Sequence, residues 1–498
     1  MFESAELGQS IPDAEYAKLE PKLRADLLDA QYALLQSRAF PMIILVNGVD
    51  GAGKGETVNL LTEWMDPRHI QSHAFGAKLP EEMGRPEMWR FWRALPPKGK
   101  IGVLFGNWYT SPIVDRVQGR TKDAALAADL VRVRRFEKLL TDDGAVLVKL
   151  WFHLSKSAQR KRLKELESSA RTRWRVTPND WKAFKSYSKY AKISERVLRE
   201  TSTGEAPWIV IEGTDPNYRS ITAGKTVLAA LRARLEAAAG ASARASKRAA
   251  KSNHTVIRTV DTSKILKDLP FVERLSKAKY TKQIEVLQGQ LNLLSRSPKM
   301  KKHAVVVVME GMDAAGKGGA IRRITQALDA RVYDIVPIAA PTEEERAQPY
   351  LWRFWRHLPR HGRFLIFDRS WYGRVLVERV EGYASPDAWM RAYNEINDFE
   401  VQLQEAGIVL VKLWLAVTKD EQLKRFKERE ATKFKQFKIT PDDWRNRKKW
   451  DDYVAAAGDM IDRTSTAIAP WKIVEANDKH LARVRVIETI IGRMKEAF

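Results

Sequence analysis

Short apolar runs alternate with amphipathic stretches along the chain, and this alternation predicts buried strands separated by helices. In the second half the runs read AVVVVME, VYDIVPI, RFLIFD, IVLVKLWLAV and PWKIVEA. Most are rich in β-branched residues and apolar at consecutive positions, as in strands that are covered on both faces. Strands of this kind, with helices between them, predict an α/β fold that is built on a parallel, doubly wound sheet.

The same pattern occurs twice along the chain. WRFWRALP, VLVKLW, VTPNDW and TSTGEAPW in the first half match WRFWRHLP, VLVKLW, ITPDDW and TSTAIAPW in the second. All four matches keep one ungapped offset, which also relates Gly48 to Gly311 (311 − 48 = 263). Because this period is far too long for a solenoid unit, we predict a domain duplicated in tandem, with a core in each copy.

A change in composition marks the join between the two copies. Residues 236–253, EAAAGASARASKRAAKSN, are rich in Ala, Ser and Lys and have no apolar periodicity at their centre. We interpret them as the end of a helix followed by a linker. We therefore predict an N-terminal domain over residues 1–240, a linker over 241–256 and a C-terminal domain over 257–498.

A glycine-rich loop, GMDAAGKGG, follows the first apolar run of the second copy and fits the pattern G-x-x-x-x-G-K. The helical stretch AIRRITQAL comes directly after it. In this setting backbone N–H groups surround a phosphate, the helix N-terminus faces it and the lysine adds a positive charge. The loop residues that we expect to bind phosphate are Gly311, Gly316, Lys317, Gly318 and Gly319.

The loop departs from that of ordinary nucleoside-triphosphate kinases at one position. Where a Ser or Thr hydroxyl would hold Mg²⁺, this loop has Gly318, and an acid, Asp313, lies within the loop instead. We infer that the Asp313 carboxylate replaces the hydroxyl in the Mg²⁺ shell, directly or through water. The first copy keeps the equivalent residues Asp50 and Lys54 in GVDGAGKGE, so it should also surround a phosphate.

A second acid is present in the second copy alone. FLIFDRS places Asp368 at the carboxyl end of an apolar run, where P-loop phosphotransferases keep a metal-binding Asp. Arg369 follows, and its fork of donors is suited to phosphate oxygens. The first copy has Phe105 and Gly106 at these positions. We predict that the first copy binds without catalysing, unless a nearby acid such as Asp115 compensates.

The chain carries a net charge of +24, from 86 Lys and Arg against 62 Asp and Glu. Such an excess indicates a polyanionic partner; a basic surface that serves only solubility is the alternative. Part of the excess lies in the segment KRFKEREATKFKQFKITPDDWRNRKKW, which follows a central strand. We predict a lid there whose Lys433, Lys435 and Lys438 close over phosphates, with a solvated face as the alternative.

Other features limit the compartment. The chain has no cysteine, which excludes disulfides and thiolate metal sites. Its first residues, MFESAELGQSIPDAEYAKLE, are acidic and lack the order of a signal peptide, and no apolar run reaches the length that spans a bilayer. We therefore expect a cytoplasmic protein. Membranes and nucleic acids are not among the partners that we expect for it.

Together, EGMDAAGKGG, WRFWRHLP, FDRSWYGRVLVERV, ITPDDW and APWKIVEANDK resemble the polyphosphate kinase 2 family. The resemblance covers almost all of the second copy and, more loosely, the first. It implies a P-loop kinase fold, here a parallel sheet flanked by helices, duplicated in tandem, with a helical lid on each copy. The arrangement is similar to the fused, two-domain members, which use polyphosphate to phosphorylate AMP to ADP.

The resemblance also implies roles for individual residues. The implied catalytic set is Asp313, Lys317, Asp368 and Arg369, with Mg²⁺ held by the two aspartates. In GRVLVER, Arg374 and Glu378 are candidates near the acceptor nucleotide together with Arg369, and Arg374 is also a candidate phosphate ligand. The phosphate of AMP is already anionic at neutral pH, so the implied reaction needs no general base and relies on positioning and electrostatics.

Three alternatives stay open. The chain could be a polyphosphate kinase that acts on ADP or GDP, or an ATP-dependent nucleotide kinase of the thymidylate-kinase type, although Gly318 counts against the latter. It could also be a polyanion-binding protein without catalysis. We expect a homo-oligomer, a dimer, and we expect the first copy either to extend the polyphosphate track or to supply an interface that single-domain relatives obtain by oligomerising.

Overall fold

The computed structural model describes residues 1–248, 262 and 264–498. It contains two five-stranded sheets with the strand orders β2-β3-β1-β4-β5 and β10-β9-β6-β8-β7. The strands are β1 (Met42–Gly48), β2 (Ile70–Ala74), β3 (Ile101–Phe105), β4 (Val146–His153), β5 (Trp208–Glu212), β6 (Ala304–Gly311), β7 (Tyr333–Pro337), β8 (Phe364–Asp368), β9 (Ile408–Ala416) and β10 (Trp471–Glu475). Every pairing is parallel and both sheets follow the same topology, which confirms the predicted duplicated α/β fold.

Helices connect the strands of each sheet. In the first half they are α1 (Asp13–Ser37), α2 (Lys54–Trp64), α3 (Trp89–Arg93), α4 (Thr110–Val117), α5 (Asp123–Asp142), α6 (Lys156–Ser168), α7 (Pro178–Lys185), α8 (Tyr187–Thr201) and α9 (Pro216–Arg248). In the second half they are α10 (Lys264–Lys267), α11 (Lys277–Ser295), α12 (Lys317–Thr325), α13 (Glu343–Arg346), α14 (Trp352–Trp355), α15 (Val377–Val380), α16 (Pro386–Glu405), α17 (Lys419–Ala431), α18 (Pro441–Lys448), α19 (Trp450–Thr464) and α20 (Lys479–Ala497). Within the described residues, no helix combines the length and apolar character needed to cross a membrane.

Six short 3₁₀ helices complete the described elements, and two of them lie in the predicted lids. They are Glu3–Ala5, Pro67–His69, Arg173–Arg175, Pro298–Lys302, Trp371–Arg374 and Lys433–Lys438. The lid segment of the second half therefore consists of α17, a 3₁₀ helix and α18, and that of the first half consists of α6, a 3₁₀ helix and α7.

The chain divides into two compact units, each built on one sheet. The N-terminal unit comprises Met1–Ala77, Phe91–His254 and Thr342–Pro349, and the C-terminal unit comprises Lys78–Arg90, Thr255–Pro341 and Tyr350–Phe498. Each half of the chain thus gives one short segment to the unit of the other half. Helix α9 continues to Arg248, past residue 240, and the rest of the predicted linker up to residue 256 lies outside the described residues, so the predicted boundaries stay a prediction.

The central strands β1 and β6 form the most deeply buried part of each unit. In β6 the four consecutive valines Val305, Val306, Val307 and Val308 are fully buried. This follows from the position of the strand in the middle of its sheet, where helices cover both faces. Strand β8 runs beside β6 with Met309 opposite Asp368, so both strands end at the same edge of the sheet and bring their following loops together.

Candidate active site

The glycine-rich loop of the C-terminal unit joins β6 to α12 and begins at a point of close backbone contact. A Cβ atom on Gly311 would lie 2.4 Å from the carbonyl oxygen of Leu415 on the neighbouring β9, so only glycine fits there. Gly316, in the left-handed conformation, is the N-cap of α12, and Gly318 lies in open space. The loop residues predicted to bind phosphate therefore lie together at the N-terminus of α12, where orphan N–H groups favour anions.

Lys317 folds back over this loop. Its Nζ donates hydrogen bonds to the carbonyl oxygens of Gly311, at 2.8 Å, and Met312, at 3.4 Å. Burial and the neighbouring Arg369 guanidinium lower the pKa of Lys317, while nearby carboxylates oppose the shift. Those carboxylates belong to Asp313, Asp368 and Glu310. The lysine and the two predicted acids are thus close enough to interact electrostatically.

The loop acid Asp313 connects three elements. One carboxylate oxygen accepts a 2.8 Å hydrogen bond from Arg369 after β8, and the other accepts a 2.9 Å bond from the amide of Asn446 on α18. Gln422 on α17 donates to the Asp313 carbonyl oxygen at 3.1 Å. The side chain of Asp313 is only 11% exposed, so its carboxylate is largely shielded from solvent and lies against these donors. The structure thus brings together Asp313 and Arg369, two members of the implied catalytic set, and Asn446 in the predicted lid joins them.

Asp368 and Arg369 lie where β8 ends. Asp368 is the last residue of the strand, and the N–H of Arg369 donates to the carbonyl oxygen of Met309 at 3.1 Å. Arg369 has a φ of 64°, in the left-handed region that non-glycine residues seldom adopt. Such conformations persist where the surroundings impose them, and they are concentrated at functional sites.

Glu310 is a buried acid at the carboxyl end of β6 that was not predicted from the sequence as a site residue. Its carboxylate accepts a 2.8 Å hydrogen bond from the hydroxyl of Ser370, and both side chains are almost fully buried. Burial raises the pKa of Glu310 above its ordinary value, although Lys317 and Arg369 oppose that effect. Its position directly before the glycine-rich loop, at the end of an apolar run, was the available signal.

A cleft opens between the glycine-rich loop, the end of β8 and the lid. The residues that line it include Glu310, Asp313, Arg369, Asn446, Trp450 and Tyr453. The predicted acceptor residues lie beside this cleft, because Gly373 and Val377 line it while their neighbours Arg374 and Glu378 form a 2.8 Å ion pair. The Arg374 guanidinium also stacks on the ring of Tyr350 at 4.3 Å. Arg374 and Glu378 are thus held by each other at the border of the cleft.

A second groove borders the same loop through a different set of residues. Its lining includes Gly316 and Gly319 with the cations Arg429, Lys479 and Arg483, and one acid, Glu428, which pairs with Lys479 at 3.5 Å. This lining combines a helix N-terminus with positive side chains, which together favour an extended anion.

The predicted lid lysines are described only in part. Lys433 lies exposed on the 3₁₀ helix Lys433–Lys438. The side chains of Lys435 and Lys438 lie outside the described part of the structure. Their roles therefore stay a prediction. What the structure does show for the lid is the contact of Asn446 with Asp313.

The N-terminal unit keeps the loop and its lysine but lacks the buried acid that precedes the loop in the C-terminal unit. Lys54 donates to the carbonyl oxygens of Gly48 and Val49 at 2.7 and 2.9 Å and pairs with Asp50 at 3.2 Å. At the positions of Glu310 and Ser370 the unit has Asn47 and Asn107, whose amides bond to each other at 3.1 and 3.3 Å. A neutral amide pair thus replaces the buried carboxylate and its hydroxyl donor.

Asp115 does not take the place of the missing acid. It lies on α4, at the position that corresponds to Glu378 rather than to Asp368, and its carboxylate accepts a 2.9 Å hydrogen bond from Arg120. Among the described residues, the ion pair with Arg120 ties Asp115 to the end of α4 and not to the glycine-rich loop. In the position of Asp368 the strand ends at Phe105.

The Trp-Tyr pair that comes shortly after β8, and the equivalent pair after β3, have a structural function. In the C-terminal unit, the indole of Trp371 and the hydroxyl of Tyr372 donate to Glu400 at 3.1 and 2.5 Å, and Lys412 pairs with Glu400 at 2.7 Å. In the N-terminal unit, the corresponding bonds of Trp108, Tyr109 and Lys149 to Glu137 are 3.0, 2.6 and 2.8 Å long. The first copy therefore retains the buried network while lacking the acid and arginine just before it.

Comparisons with known proteins agree with this geometry. The family model described as Polyphosphate kinase 2 (PPK2) matches residues 10–238 and 274–497. A polyphosphate:AMP phosphotransferase from Pseudomonas aeruginosa is 53% identical over 100% of this chain and 99% of its own length, and one from Acinetobacter johnsonii is 41% identical over 96% of each. A crystal structure assigned to polyphosphate kinase 2 of Pseudomonas aeruginosa PA01 superimposes with a TM-score of 0.90 at 52% identity, covering 100% of this chain and 99% of the other.

Proposed function

The chain belongs to the polyphosphate kinase 2 family and is a phosphotransferase, and we propose that it transfers the terminal phosphoryl group of inorganic polyphosphate to AMP, giving ADP. The observation that carries this proposal is the set of Asp313, Lys317, Asp368 and Arg369 at one sheet edge of the C-terminal unit. Three relatives that cover 96% or more of the chain bear the name polyphosphate:AMP phosphotransferase, which supports the choice of donor and acceptor.

Two openings meet at the glycine-rich loop, and we assign one substrate to each. The groove with Arg429, Lys479 and Arg483 takes the polyphosphate chain, whose charge of about one per phosphate unit suits a row of cations. The cleft with Trp450 and Tyr453 takes AMP, because its aromatic and apolar lining suits a nucleoside. The transferring phosphoryl group then lies at the loop between the two openings.

The donor set fits a Mg²⁺ ion that is shared with the substrates. Mg²⁺ in such sites usually has one or two carboxylate ligands and fills its other positions with phosphate oxygens and water. Asp313 and Asp368 supply two carboxylates near the loop lysine, and within the described residues no larger cluster of metal-binding side chains occurs. These two residues would hold the ion, which would neutralise negative charge on the phosphates.

The protein's own groups orient the substrates and offset charge. Lys317 and the N-terminus of α12 bind the phosphoryl group that is transferred, and Arg369 bridges donor and acceptor phosphates with its planar fork. Glu310 acts as a positioning residue, because its buried negative charge lies near both cations without forming an ion pair with either in the described contacts. AMP needs no general base, since its phosphate is already anionic.

Lys54→Ala and Lys317→Ala test the proposal as a pair, assayed for ADP formation from AMP and polyphosphate with Mg²⁺ and without ATP. We expect Lys317→Ala to lower turnover by at least about 100-fold and Lys54→Ala to leave it within about twofold of the wild type. Parallel reactions with ADP, GDP and ATP examine the other acceptors and the other donor. A wild-type chain that forms no ADP from AMP and polyphosphate would overturn the proposal. Dimerisation and a cytoplasmic location remain predictions from the sequence.

A further inference from the structure

The N-terminal unit carries an acid at the start of its loop helix that the C-terminal unit lacks. Glu56 is the third residue of α2, at the position of Gly319 in α12. Its carboxylate contacts three arginines: Arg219 at 2.8 Å, Arg175 at 3.1 Å and Arg162 at 3.5 Å. Without this carboxylate, a phosphate at the N-terminus of α2 would contact the same three guanidinium groups.

Arg219 lies within the space that is open in the other copy. Its side chain is 4% exposed, and it also bonds to the hydroxyl of Thr57 at 3.1 Å and the carbonyl oxygen of Gly213 at 3.2 Å. A Cβ atom on Gly53 would lie only 2.0 Å from its Nη1 atom, so the guanidinium rests directly on the glycine that begins the helix. The groove beside this loop is therefore occupied by protein.

The C-terminal unit has smaller, uncharged residues at the three corresponding positions. Gly319, Ala320 and Ala482 replace Glu56, Thr57 and Arg219. A Cβ atom on Gly316 would meet its nearest neighbour, an Arg425 nitrogen, at 3.9 Å, which contrasts with the 2.0 Å at Gly53. All three replacements remove side chain or charge from the groove that holds the cations Lys479 and Arg483.

We infer that Glu56 is a built-in anion that closes the N-terminal groove, so that polyphosphate binds to the C-terminal groove alone. The carboxylate neutralises the arginines that would otherwise attract phosphate, and it holds Arg219 in the groove. The N-terminal unit then loses binding of the donor as well as catalysis. A closed groove excludes an extension of the polyphosphate track through this loop. Of the two roles predicted for the first copy, the one that remains is to supply the interface that single-domain relatives obtain by oligomerising.

Calorimetric titration of the full chain with tripolyphosphate, without nucleotide and at about 0.15 M salt, tests the inference. We expect one site in the wild type and a second site in Glu56→Gly, which has the residue of the C-terminal copy at this position. Glu56→Gln keeps the side-chain size, removes the charge and should also gain the second site. Two sites in the wild type, or a single site in both variants, would overturn the inference.

The reverse substitution examines the same idea in the C-terminal unit. A Cβ atom on Gly319 would lie 3.2 Å from the Nη2 atom of Arg483, so Gly319→Glu fits with a small adjustment of that side chain and places a carboxylate beside the arginine. We expect the KM for polyphosphate to rise at least about tenfold while the KM for AMP stays unchanged. An unchanged KM for polyphosphate would contradict the inference, because the added anion would then not compete with the donor.

Discussion

Arg369 and Gly106 occupy the same position in the two copies and adopt nearly the same left-handed backbone conformation, with φ angles of 64° and 67°. Ala314 and Gly51 repeat this relationship in the glycine-rich loop, at 61° and 82°. In both cases the C-terminal copy holds a side chain where the backbone favours glycine, and the N-terminal copy has the glycine. We interpret this as strain that is kept in the C-terminal copy, for which we propose catalysis, and that is absent from the N-terminal copy.

Arg369→Gly should therefore separate catalysis from stability. We expect turnover to fall at least about 100-fold, because the variant loses the guanidinium that we propose to bridge the two phosphates. The glycine variant should be more stable to unfolding than Arg369→Ala by up to about 1 kcal/mol, since both lose the ion pair with Asp313 and only glycine relieves the left-handed strain. Enzyme assays and urea unfolding measure the two effects. Arg369→Ala is the control, because it loses the guanidinium and keeps the strain. A glycine variant that is clearly less stable than the alanine variant would refute this account.

The pair Glu310 and Ser370 can be replaced by the pair that occurs in the other copy. Glu310→Asn with Ser370→Asn places two amides where Asn47 and Asn107 bond to each other in the same fold. We expect the double variant to fold and its kcat to fall about tenfold or more, because the buried negative charge near Lys317 is lost. Its KM for polyphosphate should change little.

Rescue distinguishes positioning by charge from simple packing in that experiment. Glu310→Asp with Ser370 unchanged retains the buried carboxylate, so it should recover part of the lost turnover. A double amide variant with normal kcat would show that the carboxylate has no part in the reaction.

The buried carboxyl of Glu310 also predicts how stability depends on pH. Burial raises its pKa in the folded state above that in the unfolded chain, so the folded state binds the proton more tightly. The ionised group then opposes folding by an amount that grows as the pH rises from about 4.3, the ordinary value for Glu, and becomes constant above the folded-state pKa. Glu310→Gln should thus be more stable than the wild type at neutral pH, and this gain should disappear as the pH falls below about 4.

Thermal unfolding of both chains between about pH 4 and pH 8 measures this difference. Ser370→Ala serves as the comparison, because it removes the hydrogen bond to Glu310 and leaves the carboxyl in place. A gain that is constant over the whole range would indicate a packing effect instead of a titration.

Much of the fold could be predicted from the sequence, because it depends on signals that are local or repeated. Continuous apolar runs predicted parallel strands, and the constant offset between motifs predicted two copies of one sheet. The position of Asp368 at a strand end followed from the same signals. The exchange of short segments between the two units could not be predicted, since it depends on tertiary contacts that leave no periodicity in the chain.

The candidate site could be predicted only in part, for a similar reason. Asp313, Lys317 and Arg369 belong to short motifs, and the structure brings them together as expected. Glu310 was missed because a single acid at the end of an apolar run has no distinctive spacing. Asn446 was missed because it lies within a basic segment 133 residues from Asp313, and only the folded lid brings the two side chains into contact.

Each copy has a buried network around its Trp-Tyr pair, Trp371-Tyr372 or Trp108-Tyr109, which explains why this pair is retained in both copies. The two networks also predict a difference between the copies. Lys412→Met and Lys149→Met each leave a buried glutamate without its cation, which costs about 3–5 kcal/mol of stability when one partner of a buried pair is lost. In the C-terminal unit, Tyr372 and Trp371 bond to that glutamate and directly follow Ser370, so Lys412→Met should also lower kcat. Lys149→Met should destabilise the chain while its folded fraction turns over normally. Urea unfolding and activity at a temperature where both variants are folded make the comparison, and an equal loss of kcat in the two would contradict the division of roles between the copies.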